Sequence, residues 1–129
     1  RILSAGFVER YRGRILNIHP ALLPAYPGLN THRRVLDAGE KWHGSTVHFV
    51  TEELDGGPRI LQGRLPVVAG ESASQLQARV QALEHQIYPV AAGWVGEGRV
   101  EYRDGRTWID GVAADDPIVQ TFDLSGKRM

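Results

Sequence analysis

The 129-residue sequence contains no cysteine, so it can build neither a disulfide framework nor a cysteine-based zinc site. It also lacks an excess of charge of one sign, because 15 basic residues balance 15 acidic ones. A neutral chain offers no electrostatic surface for nucleic acid or an acidic membrane, so we expect neither as a partner. The sequence shows no apolar run of membrane-spanning length and no signal peptide, which favours a cytoplasmic protein of one domain.

One short stretch concentrates the candidate chemistry. Ile15–Ile18 is rich in apolar, β-branched residues, which predicts a buried strand. Asn17 and His19 alternate with those residues, so both side chains leave the strand on the same side. The prolines and the glycine of Pro20–Gly28 then enforce a stiff loop. An amide and an imidazole at the end of a buried strand suit a site that holds a developing negative charge.

Strand and helix patterns alternate along the chain, which predicts an α/β fold. The predicted elements are a helix capped by Ser4, a helix over Thr31–Ala38, strands over Ser45–Val50 and Ile60–Val68, a long helix opened by Ser74 and Gln77 with capping-box spacing, and a hairpin around Asp104-Gly105. Pro66 places the second of these strands at an edge or at its own end. Residues 112–129 are polar with one apolar cluster, so we predict an extended or disordered tail after a domain at 1–111.

Asp55 is the third candidate for the site. It lies in the predicted turn Thr51–Pro58, where Gly56 and Gly57 allow positive φ and a sharp bend. A carboxylate there could orient and charge the imidazole of His19. From the residues alone, a core histidine and an unrelated turn-capping aspartate explain the pattern better.

Two longer motifs change that balance. Asn17-Ile-His-Pro-Ala-Leu-Leu-Pro-Ala-Tyr-Pro-Gly28 is followed by Val47-His-Phe-Val-Thr-Glu-Glu-Leu-Asp-Gly-Gly-Pro58. Together they resemble the folate-dependent formyltransferase family, and within it the glycinamide ribonucleotide formyltransferases of purine synthesis. The resemblance runs from Arg1 to about Gly111. It implies a formyltransferase-type open mixed sheet flanked by helices, with a C-terminal antiparallel hairpin.

The resemblance implies transfer of a formyl group from 10-formyltetrahydrofolate, as cosubstrate, to the amine of glycinamide ribonucleotide. Asn17 would hydrogen-bond the formyl oxygen as it becomes an oxyanion, and His19, as imidazolium, would stabilise the same charge. Asp55 would support the charge on His19 and relay the amine proton through water. The residues that would form the folate pocket are Arg1, Ile2, Leu3, Val50, Glu52, Glu53 and Asp55. Ordinary core packing explains the aliphatic members equally well.

Gln81 and Glu84 match family positions that contact the ribose hydroxyls and the glycinamide amine of the nucleotide. They are three residues apart on the predicted long helix and so share a face. Periodicity alone favours a solvated polar stripe. The other histidines, His48 among them, are expected to be structural or to support the site, and no histidine spacing predicts a metal site.

The resemblance also implies an N-terminal Rossmann-like half with a phosphate-binding loop, which this sequence is expected to lack. Without it, the strand Ile15–Ile18 should lie at an unpaired sheet edge. The chain is therefore expected to be the catalytic C-terminal part of an enzyme. Two alternatives stay open: a formyltetrahydrofolate deformylase, in which water replaces the amine, and a truncated, non-catalytic folate-binding remnant that associates through its edge. A homodimer is compatible with each.

Overall fold

The computed structural model describes residues 4–11, 13–53 and 55–129. The helices among them are α1 (Ala5–Arg10), α2 (Thr31–Asp37) and α3 (Ala73–Gly96). The strands are β1 (Leu16–His19), β2 (Trp42–Phe49), β3 (Arg59–Pro66), β4 (Val100–Arg103), β5 (Arg106–Ile109), β6 (Val112–Ala114) and β7 (Ile118–Thr121). None of the helices described is both long and apolar enough to cross a membrane.

The strands form a mixed four-stranded sheet and a smaller antiparallel one. In the larger sheet the order is β1-β2-β3-β7, and only β3 and β7 pair in parallel. The smaller sheet, β4-β5-β6, contains the hairpin predicted at Asp104-Gly105. The α/β class and the mixed sheet are thus confirmed. Within the described residues, β1 is an edge strand of the larger sheet.

The C-terminal segment is more regular than its composition indicates. Val112–Ala114 pairs with β5, and Ile118–Thr121 pairs with β3. Phe122 is only 1% exposed and joins the core. The structure therefore shows this segment as ordered rather than disordered. Its apolar cluster lies in β7, which forms an edge of the larger sheet. The domain boundary at 111 stays a prediction.

The core lies between α3 and the larger sheet. The helix contributes a buried stripe that recurs every three or four residues: Leu76, Val80, Leu83, Ile87 and Ala91. The stripe packs with Val47, Phe49 and Leu61 of the sheet, all with no exposed surface. Burial of this apolar surface is the main force that holds the helix on the sheet.

The start of α3 corrects one sequence prediction. Its N-cap is Ser72, whose hydroxyl accepts the Gln75 N–H while the Gln75 side chain accepts the Ser72 N–H. Ser74 and Gln77 have the same spacing, so the pattern could not separate the two. Pro89 lies inside α3 without ending it, as predicted.

Candidate active site

The end of β1 presents the two side chains that the sequence singled out. Asn17 is exposed and His19 is only 6% exposed. His19 pairs with Thr46 of β2, and Asn17 pairs with His48. Directly opposed residues of an antiparallel pair share a face, so the four side chains lie on one side of the sheet.

Polar side chains from the sheet hold the loop that follows His19. The Thr46 hydroxyl donates to the carbonyl of Ala21 at 2.7 Å and accepts the Leu23 N–H at 3.1 Å. The Gln62 amide donates to the carbonyl of Leu23 at 2.6 Å. Thr46 and Gln62 are opposed in register and buried. The loop therefore replaces water as the partner of these buried polar groups, which keeps its backbone in place.

A second anchor comes from α2. The Arg34 guanidinium donates to the carbonyls of Pro27 and Leu29, at 2.7 Å and 3.0 Å, and stacks over the Tyr26 ring. Nothing in the sequence distinguishes Arg34 from its neighbour Arg33. Its role follows from the path of the loop, which only the structure shows.

Both ring nitrogens of His19 face oxygen acceptors. Nε2 lies 2.9 Å from the carbonyl of Tyr26, and Nδ1 lies 3.5 Å from Oδ2 of Asp55. A neutral imidazole carries a hydrogen on one nitrogen only, whereas the imidazolium carries one on each. Each nitrogen of His19 therefore faces an oxygen that could accept a hydrogen from it, at hydrogen-bond distance for Nε2 and at a longer distance for Nδ1.

The side chain of Asp55 is buried and held by the loop. Its side chain is 6% exposed, and Oδ2 accepts the Gly28 N–H at 3.0 Å. Its backbone adopts φ 51, whereas Gly56 and Gly57 have no positive φ. The prediction that the two glycines supply the positive φ is thus wrong, because Asp is among the residues that tolerate this conformation.

Gly57 has a different function in the turn. A Cβ at this position would lie 1.8 Å from the carbonyl oxygen of Phe49. The residue after Gly57 closes the turn, since the carbonyl of Pro58 accepts the Phe49 N–H at 2.9 Å. Close approach of two backbone segments, rather than a sharp bend, requires this glycine.

His48 lies beside the same carboxylate. Its Nδ1 donates to the carbonyl of Phe49 at 2.9 Å, and its Nε2 lies 3.9 Å from Oδ1 of Asp55. Nε2 is buried and has no hydrogen-bond partner among the residues described. Burial lowers the pKa of His48, although the Phe49 carbonyl and Asp55 act to raise it. A neutral His48 thus presents a lone pair next to Asp55.

The predicted nucleotide contacts differ in surroundings. Glu84 is half-buried and receives a hydrogen bond from the Ser45 hydroxyl. The same Ser45 oxygen lies 2.9 Å from the carbonyl of His19. Gln81 is exposed on α3. Glu84 is therefore linked to the end of β1 through Ser45. Gln81 shares only the helix α3 with Glu84.

Of the residues predicted to bind folate, four lie among the described residues between β2 and β3: Val50, Glu52, Glu53 and Asp55. Val50 is half-buried and donates its N–H to the carbonyl of Ile15 at 2.9 Å, whereas Glu52 and Glu53 are exposed. Arg1, Ile2 and Leu3 lie outside the residues that the structure describes. Within the described part of the chain, no group of three or more histidines or carboxylates could hold a metal ion.

A further histidine pair lies away from Asp55. Nδ1 of His32 and Nε2 of His43 are 3.1 Å apart. Burial lowers the pKa of His32. Burial, with the nearby His32 and His19, lowers the pKa of His43 to about 4. The pair is therefore neutral at pH 7 and forms a hydrogen bond within the structure.

These features define a class of protein: an α/β domain in which a buried histidine–aspartate pair lies at the end of an edge strand, beneath an anchored, proline-rich loop. A family model described as "Formyl transferase" matches residues 1–92. The chain therefore belongs to the formyl transferase family, as its two motifs predicted.

Individual relatives agree with this assignment. The chain is 56% identical over 111 residues to the phosphoribosylglycinamide formyltransferase of Escherichia coli, a match that covers 86% of this chain and 52% of that protein. It is similar to the structure of the Coxiella burnetii phosphoribosylglycinamide formyltransferase, with a TM-score of 0.85 at 47% identity over 92% of this chain and 56% of that one. A formyltetrahydrofolate deformylase from Pseudomonas putida has a TM-score of 0.73 at 31% identity, over 84% of this chain and 39% of that one. The chain thus spans about half the length of the first two relatives.

Proposed function

We propose that this chain carries the transfer site of a phosphoribosylglycinamide formyltransferase. The reaction would move the formyl group of 10-formyltetrahydrofolate to the primary amine of glycinamide ribonucleotide in purine biosynthesis. The observation that carries the proposal is the buried pair of His19 and Asp55, 3.5 Å apart and on the same sheet face as Asn17. The relatives named for this activity support it.

Asn17 and His19 would stabilise the charge that develops on the formyl oxygen. The Asn17 amide is exposed at the end of the strand, and an amide nitrogen carries two hydrogens. Nε2 of His19 already donates to a carbonyl oxygen, that of Tyr26, and a formyl oxygen is the same kind of acceptor. Each donor aimed at a developing oxyanion contributes on the order of 10²–10³ in rate.

Asp55 and His19 would also manage the proton that the reaction moves. The amine nitrogen bonds to the formyl carbon and loses a proton, while the bond from that carbon to the folate nitrogen breaks and that nitrogen gains one. Asp55 lies between His19 and the unpartnered Nε2 of His48. This position suits a carboxylate that passes a proton through water and keeps His19 charged.

Substrate binding would use the flanking elements. Glu84 would accept from the glycinamide amine and Gln81 would contact the ribose. Val50, Glu52, Glu53 and Asp55, together with Arg1, Ile2 and Leu3, would line the folate pocket, with backbone groups at its edge. A cytoplasmic location and a homodimer stay predictions.

The proposal can be tested with two proteins. One is the 129-residue chain itself. The other, called the fusion protein below, joins this chain to the part of the E. coli phosphoribosylglycinamide formyltransferase that does not align with this chain. Each is mixed with 10-formyltetrahydrofolate, with and without glycinamide ribonucleotide, and loss of the formyl group is followed. His19→Ala is the test variant, and His85→Ala, an exposed histidine of α3, is the matched control.

Nucleotide-dependent transfer by the fusion protein, lost in His19→Ala and kept in His85→Ala, is the expected result. Formyl release that is independent of the nucleotide would indicate a deformylase instead. No turnover by the fusion protein, with folate still bound, would indicate a non-catalytic folate-binding remnant. Either of the last two results overturns the proposal.

A further inference from the structure

Ser45, which no motif predicted, joins β1 to the long helix. Its side chain is completely buried. The hydroxyl oxygen donates to Oε2 of Glu84 and also lies 2.9 Å from the carbonyl of His19. A buried hydroxyl between a helix carboxylate and the strand that bears His19 can influence both.

A serine hydroxyl has one hydrogen to donate, so the two acceptors compete for it. The carbonyl of His19 already accepts the N–H of Ala21 at 2.8 Å. A carboxylate is the stronger acceptor, since hydrogen bonds to charged groups are shorter and stronger than neutral ones. The hydrogen of Ser45 is therefore assigned to Glu84. It fixes Oε2 of that carboxylate, and no other described side chain hydrogen-bonds to Glu84.

Gly63 allows this contact to form. It is the register partner of Ser45, so both positions face α3. A Cβ at Gly63 would lie 2.7 Å from Cδ2 of Leu83 and 3.0 Å from Cγ2 of Ile87. The missing side chain lets the helix pack close to β2 and β3, which brings Glu84 within reach of Ser45.

We propose that Ser45 is a positioning residue that orients the Glu84 carboxylate toward the primary amine of the nucleotide. The inference rests on the function proposed above, since Glu84 must contact that amine. With Oε2 held by Ser45, the other oxygen is left to accept from the amine. Without the hydroxyl, the carboxylate samples several rotamers, and binding has to select one of them.

The test is a double-mutant cycle in the fusion protein with Ser45→Ala, Glu84→Ala and the double variant. Ser45→Ala is expected to raise KM for the nucleotide about tenfold, the size of one hydrogen bond to a charged group. We expect kcat to stay within about twofold, because Ser45 touches no reacting atom. In the Glu84→Ala background, the same change is expected to have no further effect on KM. Ser74→Ala, an exposed serine of α3, is the control and should leave KM unchanged.

Three results would overturn the inference. One is an unchanged KM in Ser45→Ala, and another is a fall in kcat at constant KM. The third is a full additional effect of Ser45→Ala in the Glu84→Ala background, which would show that the serine acts without the glutamate.

Failure of the proposed function looks different, because the unsubstituted fusion protein would then show no nucleotide-dependent transfer. In that case, calorimetric titration with the nucleotide and urea unfolding of the same four proteins decide the role of Ser45. Additive shifts of the unfolding midpoint, or nucleotide binding that Ser45→Ala leaves unchanged, would refute it. Non-additive shifts with weakened nucleotide binding would retain it.

Discussion

The turn that carries Asp55 makes a quantitative prediction, because Gly57 packs directly against a backbone carbonyl. In Gly57→Ala the new Cβ would lie 1.8 Å from the carbonyl oxygen of Phe49. Ordinary contacts between heavy atoms are about 3.5 Å, so the overlap is roughly 1.7 Å. That oxygen also accepts from His48, and the Phe49 N–H is bonded to Pro58. Relieving the overlap must distort these two hydrogen bonds, each worth about 1 kcal/mol, in addition to the strain. We expect a loss of about 2–4 kcal/mol in the free energy of unfolding.

The matched control is the same substitution at a site without neighbours. Gly93 lies in α3, and a Cβ there would meet nothing within 4 Å. Gly93→Ala should therefore stabilise the protein by about 0.5–1 kcal/mol, because alanine loses less entropy in a helix than glycine does. The two substitutions are chemically identical and are expected to have effects of opposite sign.

Urea unfolding followed by tryptophan fluorescence measures both variants. With a slope of about 2 kcal/mol per molar urea, the expected loss in Gly57→Ala lowers the midpoint by about 1–2 M. The same variant should also lose about 10²-fold in formyl transfer, since a shift of about 1 Å in Asp55 disturbs its alignment with His19. A Gly57→Ala protein whose free energy of unfolding lies within about 0.5 kcal/mol of that of the parent would refute the close approach of Gly57 to Phe49 as the cause.

Two further predictions concern charge. Asp55→Asn should lower kcat of the fusion protein by about 10²–10⁴, because the charge that supports the imidazolium of His19 is removed. It should also lower the pKa of His48 further, which NMR titration can follow, since Asp55 acts to raise that pKa; an unchanged rate would contradict the role of the carboxylate. The second prediction is that stability rises with pH between about 4 and 6.5, because burial holds the pKa of His43 at about 4 in the folded state while the unfolded chain binds the proton up to about 6.5. The contribution of His43 to the free energy of unfolding is fully present above about pH 6.5. About 3 kcal/mol of it is lost as the pH falls to about 4. His43→Gln should flatten the pH dependence of the urea midpoint, whereas His85→Gln should not.

Local patterns in the sequence predicted much of the fold. The apolar alternation of β1, the Asp104-Gly105 turn and the buried stripe of α3 each depend on neighbours within a few residues. The same patterns misplaced the N-cap of α3 by two residues, because Ser72 and Ser74 both have a glutamine three positions later. They also left residues 112–129 without strands, since β7 is short and pairs with β3 more than fifty residues earlier in the chain.

The site was predictable to the extent that its residues belong to long motifs. Asn17, His19 and Asp55 could be named from the two motifs, and the structure brings His19 and Asp55 together. The positive φ at Asp55 and the close approach at Gly57 could not be separated in the sequence. The sequence Asp55-Gly56-Gly57 does not reveal which residue has a positive φ or which one needs the small side chain of glycine. The need for glycine at position 57 depends on where the carbonyl of Phe49 lies.

The supporting residues could not be predicted, because their roles depend on register between strands. Seven consecutive residues of β2 are buried, so polarity does not reveal which face each side chain occupies. Once β2 is aligned, Thr46 pairs with His19 and with Gln62, while Ser45 pairs with Gly63. A shift of one residue would exchange the faces of Ser45 and Thr46. The threonine would then face α3, and the serine would face the loop after His19. The observed register is therefore what separates loop anchoring by Thr46 from the contact of Ser45 with Glu84.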